Sequence, residues 1–166
     1  YSRSKKERSI NNKLNMKIFV QIASYRDLQL IPTIDDCISN AKYPDNLKFC
    51  IVWQHDYTEN IDKYKNNPRF KILDIPYVES KGVCWARHKS NLEYSGEEYT
   101  LQIDSHIRFI KNWDEEIINM WKNLRDEKDS EKKLAIKNDT KKNTTILVIR
   151  FLIFSAFQGI AFSFFC

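Results

Sequence analysis

The sequence predicts an α/β domain, a mostly parallel sheet with helices on both faces. Short apolar runs rich in β-branched and aromatic residues recur at 17–23 (KIFVQIA), 47–54 (LKFCIVWQ), 70–75 (FKILDI) and 99–103 (YTLQI). Such runs suit strands buried on both faces. Segments with apolar residues at helical spacing lie between and after them, giving the order β-α-β-β-α-β-α. In a doubly wound sheet of this kind, ligands bind beyond the carboxyl ends of the strands.

Each element has its own warrant. Residues 1–16 are Ser, Lys, Arg and Asn with isolated apolar residues, and are expected as a flexible basic lead-in. After the first strand, Ser24-Tyr25-Arg26-Asp27 reads as a polar loop. Pro32 can start a helix whose single face carries Ile34, Cys37, Ile38 and Ala41. Residues 42–46 (KYPDN) form a turn into the second strand, and Pro76 stops the third. Gly82 opens a helical stretch to about Tyr94, and the fourth strand ends at Asp104. Asn112-x-x-Glu115 resembles a capping box, followed by an apolar face of Trp113, Ile117, Met120, Trp121 and Leu124.

The domain expectation is therefore 17–124, then a charged linker over 125–143 and an apolar tail over 144–166. Three readings of 146–166 stay open: a membrane span of about 20 residues, core strands, or translated non-coding sequence after a frame change. Asn138-Asp139-Thr140 and Asn143-Thr144-Thr145 match the glycosylation pattern, which matters only in the secretory pathway.

Bulk properties exclude several classes. A length of 166 residues suits one ordinary domain, and 3 Gly and 4 Pro exclude a collagenous or low-complexity chain. The net charge of +5 concentrates in Arg3, Lys5, Lys6, Arg8 and Lys13, and again in Lys132, Lys133, Lys137, Lys141 and Lys142. These runs read as solvated tails. No basic-aromatic platform or zinc-finger spacing accompanies them, so no nucleic-acid partner is expected. Cys37, Cys50, Cys84 and Cys166 form no C-x-x-C pair and read as buried reduced thiols.

Chemistry concentrates at Asp104-Ser105-His106, directly after a strand. A divalent metal on a diphosphate wants hard oxygen ligands, and imidazole is acceptable to Mn²⁺. The bland alternative is an aspartate capping the next turn beside a surface histidine. Gly82 lets backbone approach closely and Arg87 can clamp phosphate, unless Arg87 pairs with Glu93 or Glu97. Asp27 can accept from a uracil or ribose and Tyr25 can stack, unless the loop is an ordinary one. Trp113 and Trp121 read as core, Trp85 as core rather than a wall of the donor pocket, and His88 as a surface position. His55 follows the second strand, and lining a loop near the site is its lesser reading. Asp114 and Glu115 read as helix caps.

FVQIASYRD, YPDNLKFCIVWQ and SKGVCWARHKSNLEYSGEEYTLQIDSHIRFIKNWDEEII together resemble an N-acetylglucosaminyltransferase family. Its members modify hydroxyproline on a cytoplasmic ubiquitin-ligase subunit. The sequence is similar, more distantly, to the mucin-type polypeptide N-acetylgalactosaminyltransferases, which share a Gly…Ala-Arg helix, a strand, an Asp-x-His and a following Trp. The resemblance covers about 17–121. It implies a GT-A (Rossmann-like) fold, a UDP-GlcNAc donor, a protein hydroxyl as acceptor, and Mn²⁺ or another divalent cation. Asp104 and His106 would hold metal and diphosphate, and Arg87 would reach the donor. Gly82 and the loop of Ala23, Ser24, Tyr25, Arg26 and Asp27 would receive the rest of it. No catalytic residue is assigned.

In the relatives the domain continues past this point, with a further metal ligand, acceptor contacts and a lid. The resemblance fades after about Leu124, so the sheet is expected to be incomplete at its C-terminal end and the chain a truncated member. The competing expectation is an inactive homologue that at most binds UDP-sugar, membrane-tethered through 146–166. Location follows the same split: cytoplasm by resemblance, membrane association through the apolar segment.

Overall fold

A computed structural model of the chain describes residues 16–56, 58–135 and 148–150. Residues 1–15 of the expected lead-in over 1–16, the two glycosylation patterns, Cys166 and the apolar residues 151–166 lie outside the described residues.

The strands are β1 (Ile18–Tyr25), β2 (Leu47–His55), β3 (Phe70–Pro76) and β4 (Tyr99–Asp104), all parallel in the order β3-β2-β1-β4. A three-residue strand, β5 (Val148–Arg150), lies parallel to β4. The helices are α1 (Leu30–Asn40), α2 (Asp62–Lys65), α3 (Val83–Asn91) and α4 (Trp113–Ala135). The α/β class and parallel sheet are as the sequence predicts.

Alternation along β1 separates the two faces. Ile18, Val20 and Ile22 join Leu30, Ile34 and Cys37 of α1, Phe49, Ile51 and Trp53 of β2, and Trp113 and Ile118 of α4 in one core. The intervening Phe19 and Gln21 face α3: Phe19 meets Tyr94 edge-on at 6.0 Å, and Gln21 donates to Asn91 Oδ1 at 2.7 Å. Burying each large apolar side chain contributes about 1.5–3 kcal/mol.

The chain moves outward from β1 to β2 and β3, then reverses to place β4 on the other side of β1. Because parallel crossovers keep one hand, this reversal puts α3 on the face opposite α1. The carboxyl ends of β1 and β4 therefore border the crevice where the strand order switches.

Several details depart from the sequence reading. Helix α1 starts at Leu30, two residues ahead of Pro32, which falls in the first turn where a missing N–H costs nothing. Helix α2 was unforeseen because DKYK has no apolar period; Tyr64 holds it by stacking on Phe70 at 4.5 Å. Helix α4 continues to Ala135, into the expected linker. Its later turns carry Glu, Lys and Arg without Gly or Pro, residues of good helix propensity. Met120 and Leu124 are more than half exposed, so the buried seam of α4 is Trp113 and Ile118, with Ile117 partly buried. Trp121 is half-buried edge-on to Tyr99. Among the described residues no helix is long and apolar enough to cross a membrane.

Cys37 and Cys50 are buried as expected, and burial, with Glu93 nearby, pushes the Cys50 thiol up to about 12. Cys84 is exposed instead, on the outer side of the first turn of α3. Asp114 is in the first turn of α4, where the helix dipole favours a carboxylate, but its hydrogen bonds go elsewhere. It is 2% exposed and accepts from the backbone N–H of Lys42 at 2.7 Å and of Tyr43 at 2.8 Å. Glu115 pairs with Lys42 Nζ at 2.6 Å. The start of α4 is thereby tied to the turn between α1 and β2.

Glu97 carries a pH prediction. Burial opposes its charge, but Lys48 at 2.8 Å and the hydroxyl and N–H of Ser95 outweigh it and hold the carboxyl at about 2. A depressed folded-state pKa gives stability that is present above the ordinary carboxyl value and lost as pH falls through the folded value. Acid unfolding should therefore deepen between the ordinary value of 4.5 and about 2, and Glu97→Gln should flatten that part of a circular-dichroism titration.

Candidate active site at the carboxyl ends of the strands

The backbone register places Ala23 directly beside Asp104 at the switch crevice. Strand β4 stops there, with the Asp104 side chain 54% exposed. From α3, Arg87 Nη2 reaches Asp104 Oδ1 at 3.3 Å, so three residues singled out by sequence meet at one point. Neither Glu93 nor Glu97 takes Arg87: Glu93 pairs with Lys71 and Glu97 with Lys48.

Past β4, Ser105 is buried and His106 is 64% exposed. Both engage Asp27 in the loop after β1. Asp27 Oδ2 accepts from the Ser105 hydroxyl and lies 3.1 Å from His106 Nδ1, while Oδ1 accepts from the Gln29 N–H at 2.9 Å. Partial burial works against the Asp27 charge, but these three donors prevail and lower its pKa. The loop after β1 and the loop after β4 are thus closed on each other. The Ser105 carbonyl adds a bond from Thr33 Oγ1 of α1 at 2.7 Å.

The rest of the first loop is divided. Tyr25 is 53% exposed at the end of β1. Arg26 adopts φ 48°, held by its N–H to the Gln54 carbonyl at 2.8 Å. Its guanidinium lies over the Tyr77 ring at 4.8 Å and 3.3 Å from Asp56. Such strain persists only where surrounding contacts enforce it. Ser24 is fully buried, and its Oγ lacks a hydrogen-bond partner among the described residues.

Gln54 and Ser80 were missed by sequence reasoning. Buried Gln54 donates to the Ser24 carbonyl at 3.1 Å and accepts from Ser80 Oγ at 2.6 Å, and Gly82 N–H donates to Ser80 Oγ at 3.3 Å. This chain of bonds seats the start of α3 against the end of β1. The available signal was a glutamine ending an otherwise apolar strand, where burial demands a partner.

Gly82 precedes α3 with φ 89° and ψ 173°, a conformation essentially confined to glycine. A Cβ there would meet nothing within 4 Å. Gly82→Ala should therefore cost about 1–3 kcal/mol of backbone strain alone, read as a lower urea midpoint.

Several other candidates lie apart. His55 stacks on Trp53 at 3.6 Å and reaches across to Asp74 of β3 at 2.7 Å. Burial disfavours its charge, yet the Asp56 carbonyl and Asp74 carboxylate win and raise its pKa. His88 is exposed, and Trp85 is half-buried beneath the Lys89 ammonium.

The donor chemistry of Asp104 and His106 suits a divalent cation. Asp27 Oδ2 can only accept, so the His106 ring meets it with a proton on Nδ1, whether as a neutral ring with Nε2 free or as the protonated ring of an ion pair. Among the described residues no group of three or more His, Cys, Asp or Glu could hold a metal. With two protein donors, further positions would fall to phosphate oxygens and water, the ordinary habit of Mg²⁺-like ions on diphosphates.

A family model described as Glycosyltransferase (GlcNAc) matches residues 17–69 and 61–134, which takes in strands β1 to β4, the crevice and almost all of α4. No curated protein and no solved structure matches the chain.

Proposed function

The chain belongs to the GlcNAc glycosyltransferase family, and from that premise we propose that it transfers N-acetylglucosamine from UDP-GlcNAc to a protein hydroxyl, with Mn²⁺ or a similar cation. The observation that carries this reading is the meeting of Ala23, Arg87 and Asp104 at the switch crevice, with His106 two residues on. Asp104 and His106 would hold the cation, which when bound neutralises charge on the leaving diphosphate. Arg87 would pass from Asp104 to a phosphate oxygen, which a planar guanidinium contacts through paired N–H donors. Ala23, with no bulk beyond Cβ, and exposed Tyr25 would leave room and a ring face for the uridine. Gly82 and the Gln54–Ser80 bonds would fix the helix that delivers Arg87.

A second reading, donor binding without transfer, is favoured by one observation. Among the described residues no group of three or more His, Cys, Asp or Glu could hold a metal, so the cation would have only Asp104 and His106 from this part of the chain. Release of UDP from UDP-GlcNAc, followed in the presence of Mn²⁺ and a hydroxyl-bearing acceptor peptide, tests the pair. Metal-dependent release supports transfer, binding without release supports the second reading, and neither binding nor release rejects both.

A further inference from the structure

We propose that Asp27 is a positioning residue: it fixes His106 in the Nδ1–H tautomer and so presents the Nε2 lone pair to a divalent cation shared with Asp104. The inference rests on the donor and metal reading of Asp104 and His106 given above, and departs from the expectation that Asp27 meets the uridine. Its two oxygens are already engaged, by Ser105 and His106 on Oδ2 and by the Gln29 N–H on Oδ1. A carboxylate gripped from three sides cannot swing, and as an acceptor it dictates where the imidazole proton resides. The Asp27 side chain is 22% exposed against 64% for His106, so the anchor is sheltered while the imidazole it holds is open to a ligand. The Ser105 carbonyl, bound by buried Thr33, holds the same loop from beneath. Hydrogen bonding of the second ring nitrogen to a carboxylate is how proteins orient metal-binding histidines, and its loss typically weakens metal affinity about 10–100-fold.

The test uses the full chain with ¹⁵N-labelled histidine. Long-range ¹H–¹⁵N spectra at about pH 8.5, where an ordinary imidazole is neutral, report which His106 nitrogen carries the proton. Mn²⁺ affinity, alone and with UDP, is read from the electron paramagnetic resonance of the unbound ion. The expected result is an Nδ1–H tautomer in the unsubstituted chain, kept in Ser105→Ala and lost in Asp27→Ala. Mn²⁺ binding should weaken about 10–100-fold in Asp27→Ala, with partial recovery in Asp27→Glu. An Nε2–H tautomer in the unsubstituted chain overturns the inference without reference to any variant's folding. So does equal Mn²⁺ affinity in the unsubstituted and Asp27→Ala chains, which leaves the donor reading standing. A correct tautomer with no Mn²⁺ binding, even with UDP, instead overturns the metal reading beneath it.

Discussion

Asp104→Asn should weaken metal-dependent UDP-GlcNAc binding about 100-fold or more, a loss near 2.7 kcal/mol, while leaving the fold intact. The substitution keeps shape and removes only the charge that a hard cation requires. Asp104 is the last residue of β4 and its side chain is 54% exposed, so nothing in the core depends on it. Within the fold the substitution weakens its 3.3 Å pair with Arg87, an exposed ion pair worth about 0–1 kcal/mol. Calorimetric titration with Mn²⁺ and with chelator separates the two consequences, since thermal unfolding of the variant should barely move. Equal affinity in both chains would mean that the diphosphate is held elsewhere.

Asp114→Ala should do the opposite, costing about 3 kcal/mol of stability with no direct effect at the crevice. The Asp114 carboxylate satisfies two backbone donors, Lys42 N–H and Tyr43 N–H, at 2.7 and 2.8 Å in a site that leaves it 2% exposed. Each donor left without a partner costs about 1–3 kcal/mol. Asp114→Asn, which keeps one good acceptor, should fall between. Urea unfolding checks this: the midpoint should drop with the slope unchanged. A loss under about 1 kcal/mol would mean that water replaces the carboxylate at this junction.

The strands were legible because burial on both faces writes itself as continuous runs such as KIFVQIA and LKFCIVWQ. Asp104 was legible because it ends such a run, and Arg87 because a glycine-led helix precedes the strand. What stayed hidden depends on partners distant in sequence. The engagement of Asp27 by Ser105 and His106 spans 78 and 79 residues, so the loop after β1 looked open to a ligand. The place of Asp114 in the first turn of α4 was legible, but not its partners, two backbone amides 71 and 72 residues away. Helix α2 escaped because four residues carry no period, and the exposure of Met120 and Leu124 because α4 turns Trp113, Ile117, Ile118 and Trp121 inward instead.

The most direct measurement is a calorimetric titration of UDP-GlcNAc into the unsubstituted chain, with Mn²⁺ and again with chelator. If Asp104 and His106 form a cation and diphosphate site, saturable binding appears with Mn²⁺ and vanishes with chelator. Folded chain that binds equally with and without the metal, or does not bind at all, contradicts that site.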